Sequence, residues 1–166
     1  MVTMNAQLSS CGSYRYELAR CWDPCAPPLT FIMLNPSTAD ASADDPTIRR
    51  CMGFARREGL GGIVVVNLYA YRATFPVDML AAADPVGSAN DAHLVAALAS
   101  ARSQEAPVVA AWGAKANPDR VRQVCALEGF EGVLCLGVTN AGHPRHPLYV
   151  PADTPFTPWP PSGGKP

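Results

Sequence analysis

The stretch that decides the fold is Leu29 to Asp45, LTFIMLNPSTADASADD. An apolar run, Leu29 to Leu34, stops at Asn35-Pro36, and small and polar residues follow through Ser37, Thr38, Ala39 and Asp40. Pro36 fixes its own φ and drives Asn35 out of the α region, so the chain turns at a defined place. A buried strand that ends in a polar loop and opens toward a helix is where open α/β sheets bind ligands. The helix start is marked as well: Asp45 offers a capping carboxylate and Pro46 fits the first helical position.

Working outward, Ser13 to Trp22 alternates aromatic or apolar with polar residues, the pattern of a half-buried strand. Asp23-Pro24 and Pro27-Pro28 mark turns between it and Leu29–Leu34, and the two strands are expected to form a hairpin-like edge. Residues 1–10 read as a loose terminus. After Asp45, Ile48, Cys51, Met52 and Ala55 share one helical face, and Gly59 ends the run. Gly62 to Tyr69 is a β-branched strand interrupted by Asn67. A weak helical piece is expected near Val77 to Ala82. Ser88 to Asp91 supplies caps for a helix running to about Ser103. Pro107 to Trp112 is a further strand, Asn117-Pro118 opens another helix, and Gly132 to Val138 is the last strand of the core. The tail from Pro151 to Pro166 is rich in Pro and Gly and is expected to lie over the surface with Phe156 or Trp159 tucked in.

Strands alternating with helices build a mainly parallel sheet with helices on both faces. The expected fold class is therefore α/β: a three-layer α/β/α sandwich with a central four-stranded, mainly parallel sheet and an added N-terminal antiparallel strand, in one domain spanning 1–166. The chain has 166 residues, 48% apolar and 16% charged, which is globular rather than disordered composition. Its formal net charge of −1 gives no global field for nucleic acid. The absence of a bilayer-length apolar run and of a signal-like start leads to the expectation of a cytoplasmic protein without a membrane partner. Cys11, Cys21, Cys25, Cys51, Cys125 and Cys135 contain no C-x-x-C pair, so neither a metal nor another cofactor is expected.

In such a sheet the carboxyl ends of the strands meet at one rim, and unexpected polar residues fall there. They are Asn35; Asn67, with Tyr69, Tyr71 and Arg72 beyond it; Trp112-Gly113, with Lys115 close by; and His143 and His146. An asparagine amide mixes donor and acceptor as the Watson–Crick edge of a pyrimidine does. A histidine can stabilise charge on a departing base, and aromatic rings can stack on one. Each residue has a plainer reading. Asn35 also suits a turn, Trp112 a core, Asp45 a cap, and the Arg49-Arg50 and Arg56-Arg57 pairs an exposed helix face. Asn67 is the exception, because a buried, unpaired amide is costly.

The segments MLNPSTAD (33–40), DDPTIRRC (44–51), VVNLYAYRAT (65–74), DPVG (84–87), Asn90-Asp91 and GHPRHPLY (142–149) resemble the signature of a bacterial and phage family, domain-of-unknown-function family sixteen forty-three. A more distant resemblance is to the uracil-DNA glycosylases and their mismatch-specific branch. It rests on Asn35-Pro36, Val66-Asn67-Leu68 through Arg72, Trp112-Gly113 and His146-Pro147-Leu148, with His143-Pro144 as a competing register.

That resemblance implies a uracil-DNA-glycosylase-like sandwich and a DNA glycosylase hydrolysing the N-glycosidic bond of a modified or mismatched base, with DNA or a nucleotide as partner. Asn35 would position water, His146 would stabilise the leaving base, and Asp40 would substitute for a missing carboxylate. Asn67, Tyr69 and His143 would contact the base. Ser37, Thr38, Arg72 and Arg145 would hold phosphates. Two other classes stay open. One is a non-catalytic base reader, motivated by an amide where the efficient enzymes carry an aspartate. The other is a metal-dependent hydrolase built on Asp40, Asp44 and Asp45.

Overall fold

The computed structural model describes residues 1–37, 39–40 and 42–160. It is an α/β fold with a mixed seven-stranded sheet and, among the described residues, four α-helices. In chain order the elements are β1 (Thr3–Leu8), β2 (Arg15–Cys21), β3 (Pro28–Met33), α1 (Pro46–Arg57), β4 (Gly62–Asn67), α2 (Pro76–Leu80), α3 (Asn90–Ser103), β5 (Val108–Ala110), α4 (Pro118–Cys125), β6 (Leu134–Cys135), a 3-10 turn (Pro147–Tyr149) and β7 (Thr157–Pro158). Across the sheet the order is β1-β2-β4-β3-β5-β6-β7. The pairs β4/β3, β3/β5 and β5/β6 are parallel, whereas β1, β2 and β7 run antiparallel to their neighbours.

Three expectations are corrected here. Residues 1–10 are not loose, because β1 pairs along β2 from Thr3↔Cys21 to Leu8↔Arg15. The tail adds a strand where none was expected, β7 pairing with β6, while Trp159 is tucked in as expected, edge-on against Trp112. The expected hairpin of the second and third strands does not form, because β2 pairs with β4 (Leu18↔Val65 to Cys21↔Gly62) and β4 separates it from β3. Gly61 makes this route possible. The Trp22 and Asp23 amides donate to Gly61 O, and Gly61 N donates to Pro27 O. A Cβ on Gly61 would collide with the carbonyls of Asp23 and Ala26.

The alternation of β3 divides the core. Phe31 and Met33 face α1, packing with Ile48, Phe54 and Val65. Ile32 and Leu34 face the other way, onto Leu94 and Leu98 of α3 and Val121 and Val124 of α4. Asp45 caps α1 by accepting from Ile48 N at 2.8 Å, and Asn117 caps α4 by accepting from Asp119 N. The caps expected for α3 are not used: Ala89 occupies the cap position and bonds nothing with its side chain, while Asn90 turns inward. No helix is long and apolar enough to cross a membrane among the described residues.

Candidate functional site

A cavity of about 610 Å³ opens at the carboxyl ends of β3 and β4 and of the segment after β5. β3 is the switch point, since the chain leaves it for β4 on one side and returns to β5 on the other. Asn35, Asn67, Trp112 and His146, which lie far apart in sequence, all line this cavity.

Asn67 ends β4 and is 1% exposed. Its backbone is braced from behind. Asn90 Nδ2 donates to Asn67 O at 3.0 Å and to Leu68 O at 3.1 Å, and Arg120 Nε donates to Leu68 O at 2.8 Å. Arg120 is itself paired with Asp91 at the start of α3. The side chain that this brace holds in place has no partner of its own, for both Asn67 Oδ1 and Nδ2 are buried without a hydrogen bond among the described residues. Asn35 is oriented by Ala73 O, which accepts from its Nδ2 at 2.9 Å. The loops after β3 and β4 are zipped together by Leu68 N to Met33 O, Tyr69 N to Leu34 O and Ala73 N to Pro36 O.

His146 is positioned by two features. Gly113, at φ +74°, lets its own amide bond Pro144 O at 2.9 Å while the His146 side chain passes close by. Arg50 of α1 donates to Pro147 O and Val150 O, fixing the 3-10 turn that follows. Leu148 N donates to His146 Nδ1 at 3.3 Å. An acceptor role for Nδ1 puts the proton of the neutral ring on Nε2. Burial holds the imidazole below its ordinary range, against the opposing charge of Asp45.

Of the other residues expected at the site, Ser37 and Arg145 line the cavity. Arg145 also donates from Nε to Val138 O. The remainder lie elsewhere. Tyr69 is buried in the α3/α4 side of the core, and its hydroxyl accepts from Asn117 N at 3.1 Å. The Asp40 carboxylate accepts from Ser42 N, Ser42 Oγ and Ala43 N and is outside the cavity lining. Those bonds hold it below the usual carboxylate range. Arg72 donates to Gly12 O, and His143 is outside the lining too. Thr38 lies outside the described residues.

Two lining residues were missed by sequence reasoning. Arg15 at the start of β2 is 2% exposed, and the alternation of SYRYELAR gave no sign that this polar position turns inward. Asp45 reads from the sequence as a helix cap or as one of three carboxylates for a metal, not as a group acting alone, yet its carboxylate is the single acidic group in the lining among the described residues. Phe75 (63% exposed) and Tyr149 (79% exposed) stand at the mouth, with Lys115 beside the strand-end tryptophan. Among the described residues no group of three or more His, Cys, Asp or Glu side chains is arranged to hold a metal.

Residues 15–148 match the family described as "Protein of unknown function (DUF1643)", a span that opens on Arg15 and closes on Leu148, both lining residues. No curated protein and no solved structure matches the chain.

Proposed function

The chain belongs to that family of proteins of unknown function, and we propose that its rim cavity binds a nucleobase and hydrolyses the N-glycosidic bond of a modified or mismatched base, in DNA or in a nucleotide. The observation that carries this reading is the Asn67 amide. It is buried, lines the cavity and has neither donor nor acceptor satisfied. A ligand edge that offers one acceptor and one donor, as the pyrimidine edge does, complements it.

The other lining groups fit the same chemistry. Asn35, with its nitrogen taken by Ala73, offers Oδ1 to orient a water toward the sugar C1′. As the C1′–N bond breaks, its electron pair leaves with the base and the Nε2–H of neutral His146 stabilises that charge; the water forms the new C1′–O bond, and the proton it sheds ends on the departed base anion. Asp45 lines the same cavity, and its carboxylate would favour a positively charged sugar. This assigns to Asp45 the task that sequence reading gave to Asp40, whose Oδ1 closes a turn on Ser42 and Ala43 outside the cavity lining. On this reading the parallel strands correspond to the motif-bearing strands of the uracil-DNA glycosylase-like sandwich.

A second reading, a base reader without turnover, is favoured by one observation: Asn35 is an amide and cannot accept a proton as a general base. The metal-dependent hydrolase has no comparable support. Asp44 pairs with Arg20, Asp45 caps α1 and Asp40 closes a turn, so the three carboxylates serve separate tasks.

The experiment is incubation with single- and double-stranded oligonucleotides carrying uracil, mismatched thymine or hypermodified bases, and with the matching free nucleotides. Alkali-labile abasic sites or released base are the readout. Cleavage that disappears in Asn67→Ala and His146→Ala is expected. Binding without cleavage leaves the reader, and an inert panel removes both.

A further inference from the structure

We infer that the inner end of the cavity is an anion subsite centred on Arg15, so that the ligand is a mononucleotide held by its terminal phosphate as well as by its base. This rests on reading the cavity as a nucleobase site.

The argument begins with an unneutralised buried charge. Arg15 is 2% exposed, lines the cavity and forms no ion pair among the described residues. One of its five N–H groups is used to tether Ala39 O, and its Nε is buried without an acceptor. A buried guanidinium with an unfilled fork matches the oxygens of a phosphate or carboxylate.

Nearby charges do not fill it. Arg20 is matched by Asp44, and the Asp40 carboxylate is taken up by Ser42 and Ala43. Arg72 adds further positive charge near Arg15. Of the carboxylates whose charge reaches Arg15, Asp45 acts most strongly, yet it forms no ion pair with Arg15 and accepts from Ile48 N as the cap of α1. That same cap means that the α1 N-terminus itself supplies no free anion site.

The lining as a whole has the same bias. Among the described residues Arg15, Lys115 and Arg145 stand against Asp45 alone, an excess of two positive charges in a chain whose net charge is −1. The buried unpartnered groups that line the cavity are also rich in donors. Arg15 Nε, Asn67 Nδ2 and Trp112 Nε1 carry N–H groups, against one acceptor at Asn67 Oδ1. A neutral base presents donors and acceptors in similar number, whereas a phosphate presents only acceptors. Lys115 and Arg145 are exposed and Arg15 is not, so the phosphate belongs at the inner end. A phosphate that continues as a strand on both sides does not fit such an end, whereas a terminal one does. The cavity volume of about 610 Å³ is in the range of small-molecule sites.

The test is isothermal titration calorimetry on the full chain with five ligand sets: nucleoside 5′-monophosphates, the matching nucleosides, free bases, inorganic phosphate, and dinucleoside monophosphates lacking a terminal phosphate. The monophosphates are expected to bind at least about ten-fold more tightly than the nucleosides, the margin of one charge-assisted hydrogen bond. They are expected to outbind the dinucleoside monophosphates as well. Arg15→Met should erase the margin. Because Arg15 also tethers Ala39, the wild-type contrast decides the matter if that variant does not fold.

Equal binding of nucleotides and nucleosides overturns the anion subsite and leaves the base site standing. Dinucleoside monophosphates binding as well as the monophosphates overturn the terminal-phosphate assignment. Binding of phosphate and nucleotides without regard to the base upholds the subsite and removes the base reading. No binding in any set overturns both. A margin that survives in folded Arg15→Met overturns the assignment to Arg15.

Discussion

Asn67 is worth following alone, because its backbone and its side chain are treated so differently. The carbonyl is held by Asn90, while the amide beyond Cβ meets nothing that can bond it. An amide buried without a partner costs about 1–3 kcal/mol on mutational scales. Asn67→Leu, similar in volume, is therefore expected to raise the urea midpoint by an equivalent of about 1–3 kcal/mol while abolishing ligand binding. A structural asparagine would show the reverse, with stability lost and binding intact. His146 gives a pH signature with a definite sign. Its folded-state pKa is depressed below 6.5 by burial. Between the folded and unfolded values the unfolded chain holds the proton and the folded chain does not, so stability rises with pH across that window. It is complete above the unfolded value near 6.5 and falls as the pH drops toward the folded one. Urea titrations from neutral to mildly acidic pH should show this decline in the wild type and a smaller one in His146→Gln.

Two helices on different sides of the core illustrate why some of the architecture was legible in the sequence and some was not. α1 announced itself through Asp45-Pro46, an apolar face at helical spacing and Gly59, all local signals, and it runs Pro46–Arg57. α3 was legible as a helix but not in the use of its first residue, because Asn90 serves a strand end that only tertiary structure brings near. β1 does alternate, with Thr3, Asn5 and Gln7 on one face and Met4, Ala6 and Leu8 on the other, but none of these residues is deeply buried and the strand is held by its pairing along β2. β7 is two residues long and contains Pro, below what a pattern can reveal. At this scale the double duty of Asp45 can be separated. Asp45→Asn keeps a good capping side chain and should leave the melting temperature nearly unchanged while lowering turnover. Asp45→Ala should cost about 1 kcal/mol of stability as well, read from the midpoint of chemical unfolding.

For the molecule as a whole, the convergence of Asn35, Asn67, Trp112 and His146 follows from a rule of topology, that parallel strands end at one rim, and their spacing along the chain is enough to state it. Arg15 escaped because it enters from an antiparallel strand, and no alternation pattern says that a loop 24 residues away will close over it. The overall charge carries a prediction of its own. With Lys115 and Arg145 as the exposed cations of the mouth, single-stranded DNA, if it binds, should show a log–log salt dependence of slope only about −1.4, the value for two neutralised phosphates. A steeper slope would point to a basic surface away from the cavity. The remaining consequence concerns the two buried arginines of β2. Arg15 reaches the carbonyl of Ala39, and Arg20 reaches the carbonyls of Asp40 and Ala43, in addition to the Asp44 carboxylate. Most of these grips are on main chain, so they do not depend on which side chains the loop carries. The segment leading into α1 can therefore exchange its side chains at Ala39, Asp40 and Ala43 without coming unfastened from the sheet.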